Sequence, residues 1–105
     1  MAGKSSRKYE TDFREALRRF RQNLSYLRSL RAYTVAQMAE RSGLAEGYIS
    51  NLETGKKTGA SLETIVCLGE ALEIPPGELI DRDLRAEALR LIEKDDKEPR
   101  QKTDS

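Results

Sequence analysis

The side chains that most often make and break bonds are scarce in this sequence. It has no histidine and a single cysteine, Cys67, so a serine or cysteine nucleophile would have no imidazole base beside it. One thiol cannot close an internal disulfide or complete a His/Cys zinc set. Neither enzyme activity nor a cofactor or bound metal is expected. What the residues can do is carry charge and hydrogen bonds. Residues 1–34 hold nine Lys/Arg against three Asp/Glu, residues 35–60 three of each, and residues 61–105 seven against twelve. A basic front and an acidic back, beneath a net charge of only +1, suggest a polyanion on one side, although solvated helix faces give the same blocks.

The most informative spacing lies between Thr34 and Thr54. Thr34 is an N-cap for a short helix with Val35, Met38 and Ala39 on one face. Arg41-Ser42-Gly43 closes it, Gly43 supplying the left-handed residue that a sharp turn needs. Leu44 re-enters the core, and a second short helix from Ala45 to Glu53 turns Ile49 and Leu52 inward before Thr54-Gly55 ends it. Two such helices with a small residue (Ala39) at their contact suit the DNA-binding helix-turn-helix, whose second helix lies in the major groove. The same corner occurs in helical bundles that never touch DNA.

The elements that must hold this corner are all helical, with no strand pattern and no repeat. Phe13, Leu17, Phe20, Leu24 and Leu27 recur at steps of four and three, which predicts a long helix capped by Thr11 or Asp12. Ser61 caps a fourth helix with Leu62, Ile65, Val66, Leu68, Ala71 and Leu72 apolar. Pro75-Pro76 stops it and starts a short fifth one through Leu79 and Ile80. Leu84, Ala88, Leu91 and Ile92 mark a last helix capped by Asp81 or Asp83. The expected organisation is a flexible basic arm (1–10), a helix-turn-helix domain (11–80), a C-terminal helix (81–94) and a disordered tail (95–105). No apolar run approaches the ~18–20 residues of a membrane span, so a soluble, cytoplasmic protein is expected.

From Asn23 to Ile80 the sequence resembles the DNA-binding domain of the Cro and phage-repressor family, the XRE-like regulators. The likeness lies in Leu24-x-x-Leu27-Arg28, Thr34-x-x-x-Met38-Ala39-Glu40-x-Ser42-Gly43-Leu44, and Tyr48-Ile49-Ser50-x-Leu52-Glu53-x-Gly55-Lys56. It continues through Ser61-Leu62-Glu63-Thr64 to Ala71-Leu72-x-Ile74-Pro75-x-x-x-Leu79. The implied fold is all-α: a compact five-helix phage-repressor-like domain, here with an added C-terminal helix.

The resemblance also implies a contact set. Thr34 and nearby amides would hold a phosphate, and Gln37 belongs to the same DNA-binding set. Glu46, Gly47, Ser50 and Asn51 would face base edges, Asn51 being suited to two-point pairing with adenine. Lys56, Lys57 and Thr58 would touch phosphates, and Arg28 would pack or contact the DNA backbone. Glu53 is assigned to holding the corner, and Tyr48 to covering the helix before it. Two departures stand out. Family members commonly place Gln just after the first cap and a polar or basic pair at the start of the recognition helix; here stand Val35 and Ala45-Glu46-Gly47. The recognition helix thus has no positive charge of its own, and affinity must come from flanking Lys/Arg or the helix must serve another use.

Two functions compete at this point. One is a homodimeric repressor of bacterial or phage type that binds a palindromic double-stranded operator, with Leu84, Ala88, Leu91 and Ile92 as a dimer seam or folded back on the core. The other is a protein-binding helical module of antitoxin or anti-repressor type.

Overall fold

In the computed structural model, the backbone is described for residues 2–97 and side chains for residues 8–93. Six helices follow one another: α1 (Ala2–Leu30), α2 (Val35–Ser42), α3 (Glu46–Thr54), α4 (Leu62–Leu72), α5 (Glu78–Asp81) and α6 (Leu84–Lys97). No strand occurs among the described residues.

α1 runs through the position where a cap was expected. Residues 2–10, read from the sequence as a flexible arm, are its first turns. The local cause is a set of contacts one turn apart: Lys8 Nζ lies 3.1 Å from Asp12 Oδ2, and the Tyr9 and Phe13 rings stack with centroids 5.9 Å apart. Such pairs each add only tenths of a kcal/mol, but they favour the helix without any tertiary support. The apolar stripe meets the core only from Phe20 onward, where Phe20, Leu24 and Leu27 are buried; Phe13 stays 46% exposed.

The caps of the middle helices form as the local sequence dictates. Thr34 Oγ1 accepts the Gln37 N–H at 3.0 Å while Gln37 Oε1 accepts the Thr34 N–H at 2.8 Å. This reciprocal arrangement satisfies two otherwise orphaned donors. Gly43 (φ +80°) and Gly55 (φ +88°) end α2 and α3 in the left-handed region. Ser61 Oγ accepts the Thr64 N–H at 3.1 Å and starts α4. α4 ends before the prolines, at Glu73 in the left-handed region, and the Pro75 and Pro76 carbonyls accept the Glu78 and Leu79 N–H groups that open α5. Asp83 Oδ1 accepts the Ala86 N–H at 3.0 Å and caps α6. α6 extends to Lys97, so residues 95–97 of the expected tail are helical; the rest of that tail lies outside the described residues.

The core gathers one face of every helix from α1 to α5. Leu24, Met38, Ile49, Leu68, Leu72 and Leu79 have no exposed surface, each such burial being worth about 1.5–3 kcal/mol. α4 and the chain after it touch at Gly69, where an added Cβ would lie 3.0 Å from Pro76 Cα and 3.1 Å from Ile74 O. α5 and α6 are tied to α1 through Asn23, which is fully buried. Its Nδ2 donates to Leu79 O at 2.9 Å and Arg82 O at 2.8 Å, and its Oδ1 accepts the Leu84 N–H at 3.0 Å. Arg19 Nε adds a bond to Ile80 O at 2.9 Å. Leu84 packs against the core, so it anchors α6 there, in contrast to Leu91 and Ile92, which are 64% and 56% exposed.

Candidate nucleic-acid interface

Two helix starts and one loop build the candidate surface. At the start of α2 the reciprocal cap occupies Thr34 Oγ1 and Gln37 Oε1 as acceptors. What each group has left is donating capacity: the Thr34 hydroxyl hydrogen and the Gln37 amide NH2. The N–H groups of Val35 and Ala36 have no partner inside the helix, as for the first turn of any α-helix. Thr34, Ala36 and Gln37 are exposed. Donors plus the positive end of the helix dipole make this a place for an anion. Val35 offers no side-chain donor, and the side-chain amide nearest the cap is that of Gln37, two positions further on.

The turn fixes how α3 leaves α2. The Gly43 N–H donates to Ala39 O at 2.8 Å, and Ser42 Oγ accepts the Leu44 N–H at 3.2 Å. α3 then buries Ile49 and Leu52. The opposite face carries Glu46, Gly47, Ser50 and Asn51, all exposed. Ala45, the N-cap, offers no side-chain acceptor, so the first α3 amides are left open to a ligand. Glu46 lies in the first turn, where a carboxylate is stabilised by the dipole.

Beyond α3 the chain presents Lys56, Lys57 and Thr58, again all exposed. The loop is not free to wander, because the Lys57 N–H donates to Asn51 O at 2.9 Å and Gly55 takes the left-handed conformation. Nine of the ten residues expected at DNA thus stand on the surface. Arg28 is the exception. Its Nε and Nη2 grip Glu53 at 2.6 and 2.9 Å, and its Nη1 donates to Tyr33 O at 2.8 Å. With side-chain exposures of 20% and 10%, the pair is mostly enclosed and joins α1 to the end of α3. Hydrogen bonding to Glu53 raises the Arg28 pKa against the desolvation that lowers it. Three of its five N–H donors are committed, so phosphate contact by Arg28 is limited to the other two.

Glu53 therefore holds the corner by a partner 25 residues away, which no local pattern names. Tyr48 hydrogen-bonds Thr64 Oγ1 of α4 at 3.0 Å, a tie to α4 in addition to its packing against the core. Sequence reasoning passed over Asn23. The signal was present: an amide at a position flanked by core residues of a long apolar stripe must find partners or cost about 1–3 kcal/mol.

Comparison with known proteins follows the same lines. The Cro/C1-type HTH DNA-binding domain family matches residues 23–84. The crystal structure of the restriction-modification controller protein C.AhdI from Aeromonas hydrophila is similar, at 36% sequence identity and a TM-score of 0.56. That likeness covers 60% of this chain and 94% of C.AhdI. No curated protein matches the chain.

Proposed function

The chain belongs to the Cro/C1-type helix-turn-helix DNA-binding family, and from that premise we propose that it is a cytoplasmic transcriptional repressor acting as a homodimer on a palindromic operator. The observation that carries this is the outer face of α3. Glu46, Gly47, Ser50 and Asn51 form an exposed hydrogen-bonding surface between the donor-rich start of α2 and the Lys56–Thr58 loop. In the major groove, Asn51 reads adenine through N6 and N7 and Ser50 takes either role, while Glu46 accepts from cytosine N4. Thr34, Gln37, Lys56, Lys57 and Thr58 hold phosphates on either side and set the register. One such module reads few bases, so two copies bind half-sites roughly 34 Å apart, one helical turn. Likeness to a restriction-modification controller supports a regulatory role.

The test is a binding-site selection with wild type and Asn51→Ala. The expected outcome is a two-fold symmetric site for wild type. In the variant, preference should relax at one base pair per half-site and affinity should fall by about 1–3 kcal/mol per half-site. Lys56→Ala should weaken all sequences alike. Unchanged preference in Asn51→Ala removes that residue from base readout. Absence of preference in wild type turns α3 into a contact surface for a protein partner.

A further inference from the structure

We propose that the middle of α1, residues 14–21, is a second DNA-contacting element, in which Arg14, Arg18 and Arg21 grip backbone phosphates beyond those reached by α2, α3 and the loop. The proposal rests on the DNA-binding reading above and adds a surface to it. The three arginines stand at steps of four and three, on one face of a continuous helix. That face is continuous with the phosphate-facing loop. Arg14, Arg18 and Arg21 share an open groove of about 740 Å³ with Thr58 and Gly59. Arg21 lies across the end of α3, its Nη1 3.6 Å from where a Cβ would sit on Gly55. A basic row therefore starts beside Lys56 and Lys57 and leads outward along α1.

The ion pairs leave this row available. Among the described residues no carboxylate pairs with Arg14 or Arg21, and Arg18 is held on an exposed site by Glu15 at 2.8 Å. Exposed pairs of that kind are worth about 0–1 kcal/mol and exchange readily for phosphate. Glu10 is the one acid lining the groove. Arg14 to Arg21 spans about 10 Å along the helix, enough to follow a strand past a single phosphate. The chain also needs such a contribution, because the exposed face of α3 has no cation and one carboxylate, Glu46. The region lies outside the family match, which begins at residue 23, so the proposed contact is not part of the matched domain.

The experiment measures affinity against salt, together with a hydroxyl-radical footprint, on the operator recovered by site selection and on a random duplex. It compares wild type, Arg14→Gln, and Arg14→Gln/Arg18→Gln/Arg21→Gln. Arg14 is exposed and unpaired, so its single variant remains folded even if the triple variant does not. Each arginine removed should lower the slope of log K against log salt by about 0.9 per protomer. Affinity for both duplexes should fall together, about tenfold or more for the triple variant near 100 mM salt. The footprint should shorten at its outer edges while base preference stays fixed. A folded variant with unchanged slope and footprint overturns the proposal and leaves the helix-turn-helix reading standing. Failure of wild type to bind either duplex overturns both.

Discussion

Removing one member of a mostly enclosed ion pair leaves the other charged, poorly hydrated and without its counter-ion. Arg28 and Glu53 are in that position. Glu53→Ala should therefore lower stability by about 3 kcal/mol, measured by urea unfolding, whereas Arg28→Met combined with Glu53→Leu should recover most of the loss. Equal instability of the single and double variants would mean that the corner needs the ion pair and not merely a filled space. The pair also shows what a sequence discloses at this scale. Thr34, Gly43, Gly55 and Ser61 were legible because a cap is satisfied within three or four residues. For Arg28 the sequence leaves packing and DNA contact both open, because its partner lies 25 residues on and only the packing of α1 against α3 brings them together.

Among the elements, α1 and α6 departed most from expectation. An apolar stripe marks where a helix is buried, not where it begins; α1 continues to Ala2 on polar residues with no Pro to interrupt it. At the other end, four apolar residues at helical spacing were one stripe in the sequence but divide in the fold. Leu84 belongs to the core, and Leu91 and Ile92 do not. Leu84→Asp should thus cost about 2 kcal/mol or more in a thermal or urea melt, because it introduces a charge where α6 docks. Leu91→Asp should change stability by no more than about 0.5 kcal/mol. Asn23→Ala should be worse than either, since the Leu79 and Arg82 carbonyls and the Leu84 N–H lose their partner together. Gly69→Ala tests the α4 contact: at 3.0 Å from backbone the new methyl forces the 74–76 segment outward, and a drop of about 1–3 kcal/mol is expected. A melt unchanged by that substitution would show that the segment yields freely.

The molecule as a whole is longer than its core requires. Its radius of gyration is 17.1 Å, against about 13 Å for a compact domain of about 100 residues. Residues 8–15 of α1 and 89–93 of α6 are exposed throughout. In the proposed complex α1 faces phosphate, and the exposed Leu91 and Ile92 of α6 are the expected seam with a second copy. Leu91→Asp with Ile92→Asp should leave a folded monomer in a sedimentation experiment, with weaker operator binding because half-sites are then occupied singly. If the double variant stays dimeric, the seam lies on another exposed apolar patch, for which Leu62 and Val66 on α4, 76% and 37% exposed, are available. Among the described residues no helix is long and apolar enough to cross a bilayer.

The knot at Asn23 has a consequence for the order in which the protein becomes itself. Its three partners lie 56 to 61 residues downstream, and Arg19 waits for Ile80 in the same way. During synthesis at about 5–20 residues per second, the first helix emerges several seconds before anything exists that can satisfy it. A nascent chain stopped at residue 77 holds the entire helix-turn-helix yet leaves the Asn23 amide unpartnered in a core that also lacks Leu79. Such a fragment should remain protease-sensitive and bind DNA weakly, while one ending at residue 88 should resist digestion. A chain stopped short of Leu79 should therefore be cleared by proteolysis rather than persist as a half-regulator competing for the proposed operator. Pulse-chase of the two truncations would reveal the difference directly.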